Sequence, residues 1–263
     1  MFARLVGAVA RVTVGLAAPA AADQWSKTYP VPGAADLWMK TSDGGVRIEA
    51  WDRQEIEARL ETVGYTIDKD FELIESQTGS RVAIEAKFPS MTVNLGIGRR
   101  SLAFVLRVPR ETKLDINTGD GSVHVAGVKG DLRLHSGDGS IEGTDLDGRL
   151  NATTGDGGIR VAGRFDGLDV RTGDGGVEAS AKPGSAAASA WSVSTGDGGV
   201  TLRLPDGFKA ELSADTGDGS ITMNVPLTMS GSVSRSHVKG TLGGGGGSIR
   251  IHTGDGSIRV DRY

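Results

Sequence analysis

Thr118-Gly119-Asp120-Gly121-Ser122-Val123 decides the reading of this chain, because it is said again and again. The phrase returns at Ser136–Ile141, Thr154–Ile159, Thr172–Val177, Thr195–Val200, Thr216–Ile221 and Thr253–Ile258. An incomplete copy, Ser42-Asp43-Gly44-Gly45-Val46, stands far upstream. Its aspartates are Asp120, Asp138, Asp156, Asp174, Asp197, Asp218 and Asp255, at spacings of 18, 18, 18, 23, 21 and 37. Equal spacings followed by longer ones describe uniform coils with insertions in the later ones, the signature of a repeat architecture.

Aligning the copies exposes two apolar columns. One residue past each corner stand Val123, Ile141, Ile159, Val177, Val200, Ile221 and Ile258. Four before each Thr or Ser stand Leu114, Leu132, Leu150, Leu168, Trp191, Leu212 and Ile249. Polar residues alternate with them, such as His124, Glu142, Arg160 and Glu178. Period-2 alternation on two short strands per coil puts apolar side chains in and polar ones out. The expectation is an all-β fold, a β-solenoid of ~18-residue two-strand coils stacked one strand spacing apart. An antiparallel sandwich or barrel built of hairpins shows the same turns and remains the alternative. The Asp-Gly and Gly-Gly corners are expected to supply positive φ. The Thr/Ser column is expected to tie its hydroxyls to backbone.

Three segments follow: residues 1–22, an export signal; 23–110, a smaller non-repetitive β-rich segment; and 111–263, the solenoid. The last carries insertions at 182–190 and 225–247. The signal rests on Arg4, an apolar run from Leu5 to Leu16, and the small residues Ala17 to Ala22. Arg11 interrupts that run, and no other stretch is long and apolar enough to cross a membrane. Trp38 and Trp51 are expected in the core, Phe88 to Arg100 as a loop, and Gly243 to Gly247 as a flexible linker.

The composition excludes several functions. There is no cysteine, so no disulfide framework, thiol nucleophile or thiolate metal site. The net charge of −4 gives no electrostatic footprint for a nucleic-acid partner.

These features together resemble the bacterial putative-adhesin family of β-strand-repeat envelope proteins, a toastrack-like domain of unknown function. The residues that carry the resemblance are Asp43-Gly44-Gly45-Val46-Arg47-Ile48, the aliphatic strand ending in Val108-Pro109, and the repeated coils. It implies a β-helix-like envelope protein with no established enzymatic activity, and it carries over no functional residues.

The Asp column is read as a structural turn column, and no cofactor is expected. Calcium between neighbouring carboxylates, at Asp120, Asp138, Asp156 and Asp174, is the weaker reading, because calcium takes six to eight oxygens and each coil brings one carboxylate. Catalytic residues are not expected: His124, His135 and His252 fall on outward columns, and a recurring Asp argues for geometry where a catalytic pair would be local. The function expected is an exported scaffold, adhesion or interaction surface in the periplasm, at the envelope or secreted. Its partners would be surface polysaccharide or protein, or a second copy meeting the strand Ser257 to Val260 as an open edge. A carbohydrate-active enzyme and a calcium-stabilised solenoid are the alternatives.

Overall fold

The computed structural model describes residues 24–89, 100–230 and 234–263. The export signal (1–22) lies outside the described residues, as do most of the expected 88–100 loop and part of the 225–247 insertion. Among the described residues every regular element is a strand.

The first part of the chain forms β1 (Gln24–Pro30), β2 (Ala35–Thr41), β3 (Gly45–Trp51), β4 (Glu55–Val63), β5 (Glu72–Thr78), β6 (Arg81–Lys87) and β7 (Ser101–Pro109). The repeats follow as β8 (Thr112–Thr118), β9 (Val123–Ala126), β10 (Lys129–Ser136), β11 (Ile141–Thr154), β12 (Ile159–Thr172), β13 (Val177–Ala181), β14 (Trp191–Thr195) and β15 (Val200–Leu204). The last coils are β16 (Ala210–Thr216), β17 (Ile221–Met223), β18 (Leu227–Met229), β19 (His237–Leu242), β20 (Gly247–Thr253) and β21 (Ile258–Arg262).

The aspartate corner divides each coil between two ladders of mostly parallel strands. Before the corner, β6, β2, β8, β10, the second halves of β11 and β12, β14, β20 and β16 pair in that order. After it, β7, β3, β9, the first halves of β11 and β12, β13, β15, β21 and β17 do the same. The columns read from the sequence are the columns of the stack: Val123 faces Ile141, and Ile141 faces Ile159. All are buried, as are Leu114, Leu132, Leu150 and Leu168 on the other ladder. Each fully buried aliphatic of this kind contributes about 1.5–3 kcal/mol relative to exposure. The β-solenoid expectation holds, and β2, β3, β6 and β7 run in the same two ladders as the repeats.

Chain order and stacking order part company near both ends. β2/β3 sits between β6/β7 and β8/β9, although it comes first in sequence. β20/β21, the last coil in sequence, is slotted between β14/β15 and β16/β17. The terminal strand is therefore no open edge: β21 is paired on both sides. The end of the first ladder is instead closed by β19, antiparallel to β16, and then by β18. Such an atypical terminal unit caps the core that the last rung would otherwise expose. At the other end β4 lies antiparallel to β7 and β1 to β4.

Three local expectations are corrected. The corner glycines need no positive φ; of the phrase copies only Gly44 has one. They are glycine because the rungs stack backbone on backbone. A Cβ at Gly155 would stand 2.7 Å from the Gly137 carbonyl oxygen, and one at Gly157 closer still to that of Gly139. Trp38 is half-buried because Leu37 and Met39 take the inward positions of β2, and Trp51 is half-buried at the end of β3. The glycine run is a built turn: Gly243, Gly244, Gly245 and Gly246 all have positive φ, at 57, 87, 86 and 149°, and Gly245 donates to Leu242. Side chains with a Cβ are strained there.

Candidate interaction surfaces

The corner edge is built by the Thr/Ser column. Ser136 is fully buried, donates to the Gly121 carbonyl at 2.9 Å and accepts from its own Gly139 amide at 3.0 Å. Thr172, Thr195 and Thr253 repeat both contacts with Gly157, Gly175 and Gly198 and with the amides of Gly175, Gly198 and Gly256. One hydroxyl thus ties its own corner to the rung below. This frees the aspartates: Asp120, Asp138, Asp156, Asp174, Asp197, Asp218 and Asp255 are all exposed, and their amides bond to neighbouring rungs. The upstream Asp43 differs, accepting from the Tyr65 hydroxyl at 2.8 Å. Burial, then that hydrogen bond, pushes the Tyr65 phenol up to about 12. Tyr65 packs edge-on against Phe71 and Phe88.

The outer face of the second ladder is a row of alternating charge. His124 Nδ1 meets Glu142 at 3.1 Å, Arg160 lies 3.8 Å from Glu142 and 3.2 Å from Glu178, and Arg203 also pairs with Glu178. Hydrogen bonds from Arg203 and Arg160 hold the Glu178 carboxyl below its usual range. A shallow cavity of about 380 Å³ opens beside this row, lined by Ser140, Glu142, Arg160 and Glu178.

The opposite corner carries a second ionic cluster. Arg164 grips Asp147 and Asp166, which raises its own pKa and lowers that of Asp166. Lys182, where the 182–190 insertion leaves the ladder, bonds Asp145 at 2.9 Å and lowers that carboxyl. A 400 Å³ cavity runs between these groups and Arg110 and Lys129. The cap supplies a third feature, a recess of about 300 Å³ floored by Leu204, Phe208, Val225 and Leu242, with Asp206 and Arg262 in its wall. Phe208 of its lining packs on Trp191, which also meets Phe165 and whose buried indole N–H has no partner among the described residues.

The sequence showed the column His124, Glu142, Arg160, Glu178 but not its pairing, although opposite charges at 18-residue spacing carried that signal. It missed Arg164 with its two aspartates and His237 with Asp215, since neither belongs to the repeat phrase. Chemically, the ion pairs of these faces lock charged side chains to one another, most of them between rungs. Among the described residues no group of three or more His, Asp or Glu is gathered to hold a metal ion. No helix among them is long and apolar enough to cross a membrane.

Comparison with known proteins gives the following. The family model described as Toastrack DUF4097 matches residues 129–261. A solved structure of a "putative cell adhesion protein" from Clostridium sporogenes is 13% identical, with 92% of this chain and 100% of that one covered and a TM-score of 0.46. A "putative adhesin" from Bacteroides fragilis is 11% identical, with coverage of 92% and 97% and a TM-score of 0.49. The search of curated proteins gives no match.

Proposed function

The chain belongs to the Toastrack DUF4097 family, and from that premise we propose that it is an exported, rigid, non-enzymatic interaction surface at the cell envelope. The observation that carries this reading is the charge row His124–Glu142–Arg160–Glu178–Arg203. Each group is fixed on a flat strand face by a neighbour one rung away. A row of this kind presents a constant pattern to a partner, which is what a scaffold or adhesion face requires. A polysaccharide-cleaving site would instead need two carboxylates set apart from the rest, one kept protonated as the acid. Glu178 is held in its ionised form, which suits binding.

Export is supported by the basic, apolar and small-residue order of residues 1–22. The partner class is a surface polysaccharide or an envelope protein. Cell fractionation, with mapping of the mature N-terminus, is expected to find the protein in the envelope or medium, beginning after Ala22. Co-sedimentation with isolated envelopes is expected to fall at least tenfold on the double reversal Glu142→Lys, Arg160→Glu. Cytoplasmic recovery, or release of sugars from wall polysaccharide by the purified protein, sinks the reading.

A further inference from the structure

The outer face of the first ladder carries a row that the sequence scatters. Asp215 on β16 is in register with His237 on antiparallel β19 and with His252 on parallel β20. One carboxylate thus stands between two imidazoles on the same face, each one strand spacing away, about 4.8 Å. His237 Nδ1 already bonds Asp215 Oδ1. Ser213 Oγ lies 3.3 Å from Asp215 Oδ2 and steadies the other oxygen.

We propose that His237, Asp215 and His252 form a surface site for a divalent transition-metal ion, with zinc the best fit. Two imidazoles and one carboxylate are a donor set that zinc and its neighbours accept, leaving a fourth position open to water or a partner's ligand. As placed, the three side chains are not gathered to coordination distance. His252 is exposed, so turning its ring over Asp215 moves no backbone and disturbs no core packing. The ion replaces the His237–Asp215 hydrogen bond. Arg250 and Lys239 flank Ser213 on the neighbouring strands, about 7 Å along the same face, and temper the affinity without blocking the row. Both are exposed, so solvent and salt weaken their effect.

The site has a structural consequence. β20 belongs to the last coil, slotted in from the chain end; β16 belongs to the rung outside it; β19 is the cap. An ion bound by all three strands clamps the end of the solenoid, and binding to the folded state alone raises stability.

The test is calorimetric titration of the full, tag-free, metal-stripped chain with zinc chloride at pH 7.5, with the melting temperature read alongside. One ion per chain is expected, with a raised melting temperature. His252→Gln and Asp215→Asn should each weaken binding at least tenfold, with folding checked by circular dichroism. His135→Gln, in the same row but four rungs from His252, should leave it unchanged. Absence of saturable binding, equal affinity in His252→Gln, or equal loss in His135→Gln overturns the proposal.

Discussion

Val200 lies in register with Ile258, the last copy of its column, and not with Ile221, the next copy in sequence. Ile258 is then held between Val200 and Ile221. It is 1% exposed, while Ile221, at the end of its ladder, is only partly buried. The rung that closes the second ladder is therefore not the last one the chain makes.

This order predicts a ranking. Ile258→Ala should cost about 2–5 kcal/mol, the range for a fully buried isoleucine. Ile221→Ala should cost roughly half as much or less, because less apolar surface leaves water in the first place. Urea unfolding of the two variants measures the difference. Stacking in sequence order would place Ile258 at the end and reverse the ranking.

The corners predict a contrast between adjacent residues. Gly157→Ala drives a methyl into the Gly139 carbonyl of the rung below, a backbone atom that cannot swing aside. Overpacking of this kind costs about 1–3 kcal/mol. Asp156→Ala, at an exposed position in the same corner, should stay within about 0.5 kcal/mol. Melting temperatures of both variants, with and without added calcium, make the check. A strong calcium-dependent loss in Asp156→Ala would instead give the carboxylate column a metal to hold.

Ser136 separates the hydroxyl ladder from plain filling of space. Ser136→Ala strips a buried carbonyl and a buried amide of their shared partner. A loss of about 1–3 kcal/mol is expected. Ser136→Thr, the residue at the matching place of most rungs, should restore it. If alanine proves neutral in denaturant unfolding, the hydroxyl column carries no stability.

What the sequence made legible was whatever repeats. The columns Val123–Ile141–Ile159 and Leu114–Leu132–Leu150 were readable because period-2 alternation and an 18-residue period coincide. Rung order was not. The phrases at Thr216–Ile221 and Thr253–Ile258 differ by nothing that a neighbouring rung could distinguish, so only the antiparallel cap, itself outside the repeat, decides which lies inside. Trp38 misled by its size, since alternation along Leu37-Trp38-Met39 already pointed it outward. The Gly243–Gly247 run misled by composition: its left-handed turn carries the chain from β19 on one side of β16 to β20 on the other. The pairs Arg164–Asp147 and His237–Asp215 join residues that no shared period relates, so their meeting depends on the stack.

The ion pairs between rungs set how stability responds to acid. Arg203 and Arg160 lower the Glu178 carboxyl, and Arg164 lowers that of Asp166. A carboxylate whose folded pKa is depressed lends stability above its unfolded pKa. That stability is lost as pH falls through the folded value. The melting temperature should therefore hold near neutrality and decline below the ordinary carboxylate range of about pH 4. These groups are partly exposed, so solvent screening limits each pair to roughly 0.2–1 kcal/mol. In a chain of this size that is no more than a few degrees. Arg203→Gln should lower the midpoint at pH 7 by up to that amount and by less at pH 3, because the contribution of the pair fades as pH falls and Glu178 takes up its proton. Scanning calorimetry at the two pH values reads the difference directly. Equal losses at both would mean that Arg203 acts through the packing of its aliphatic stem, and that its charge contributes nothing to the fold.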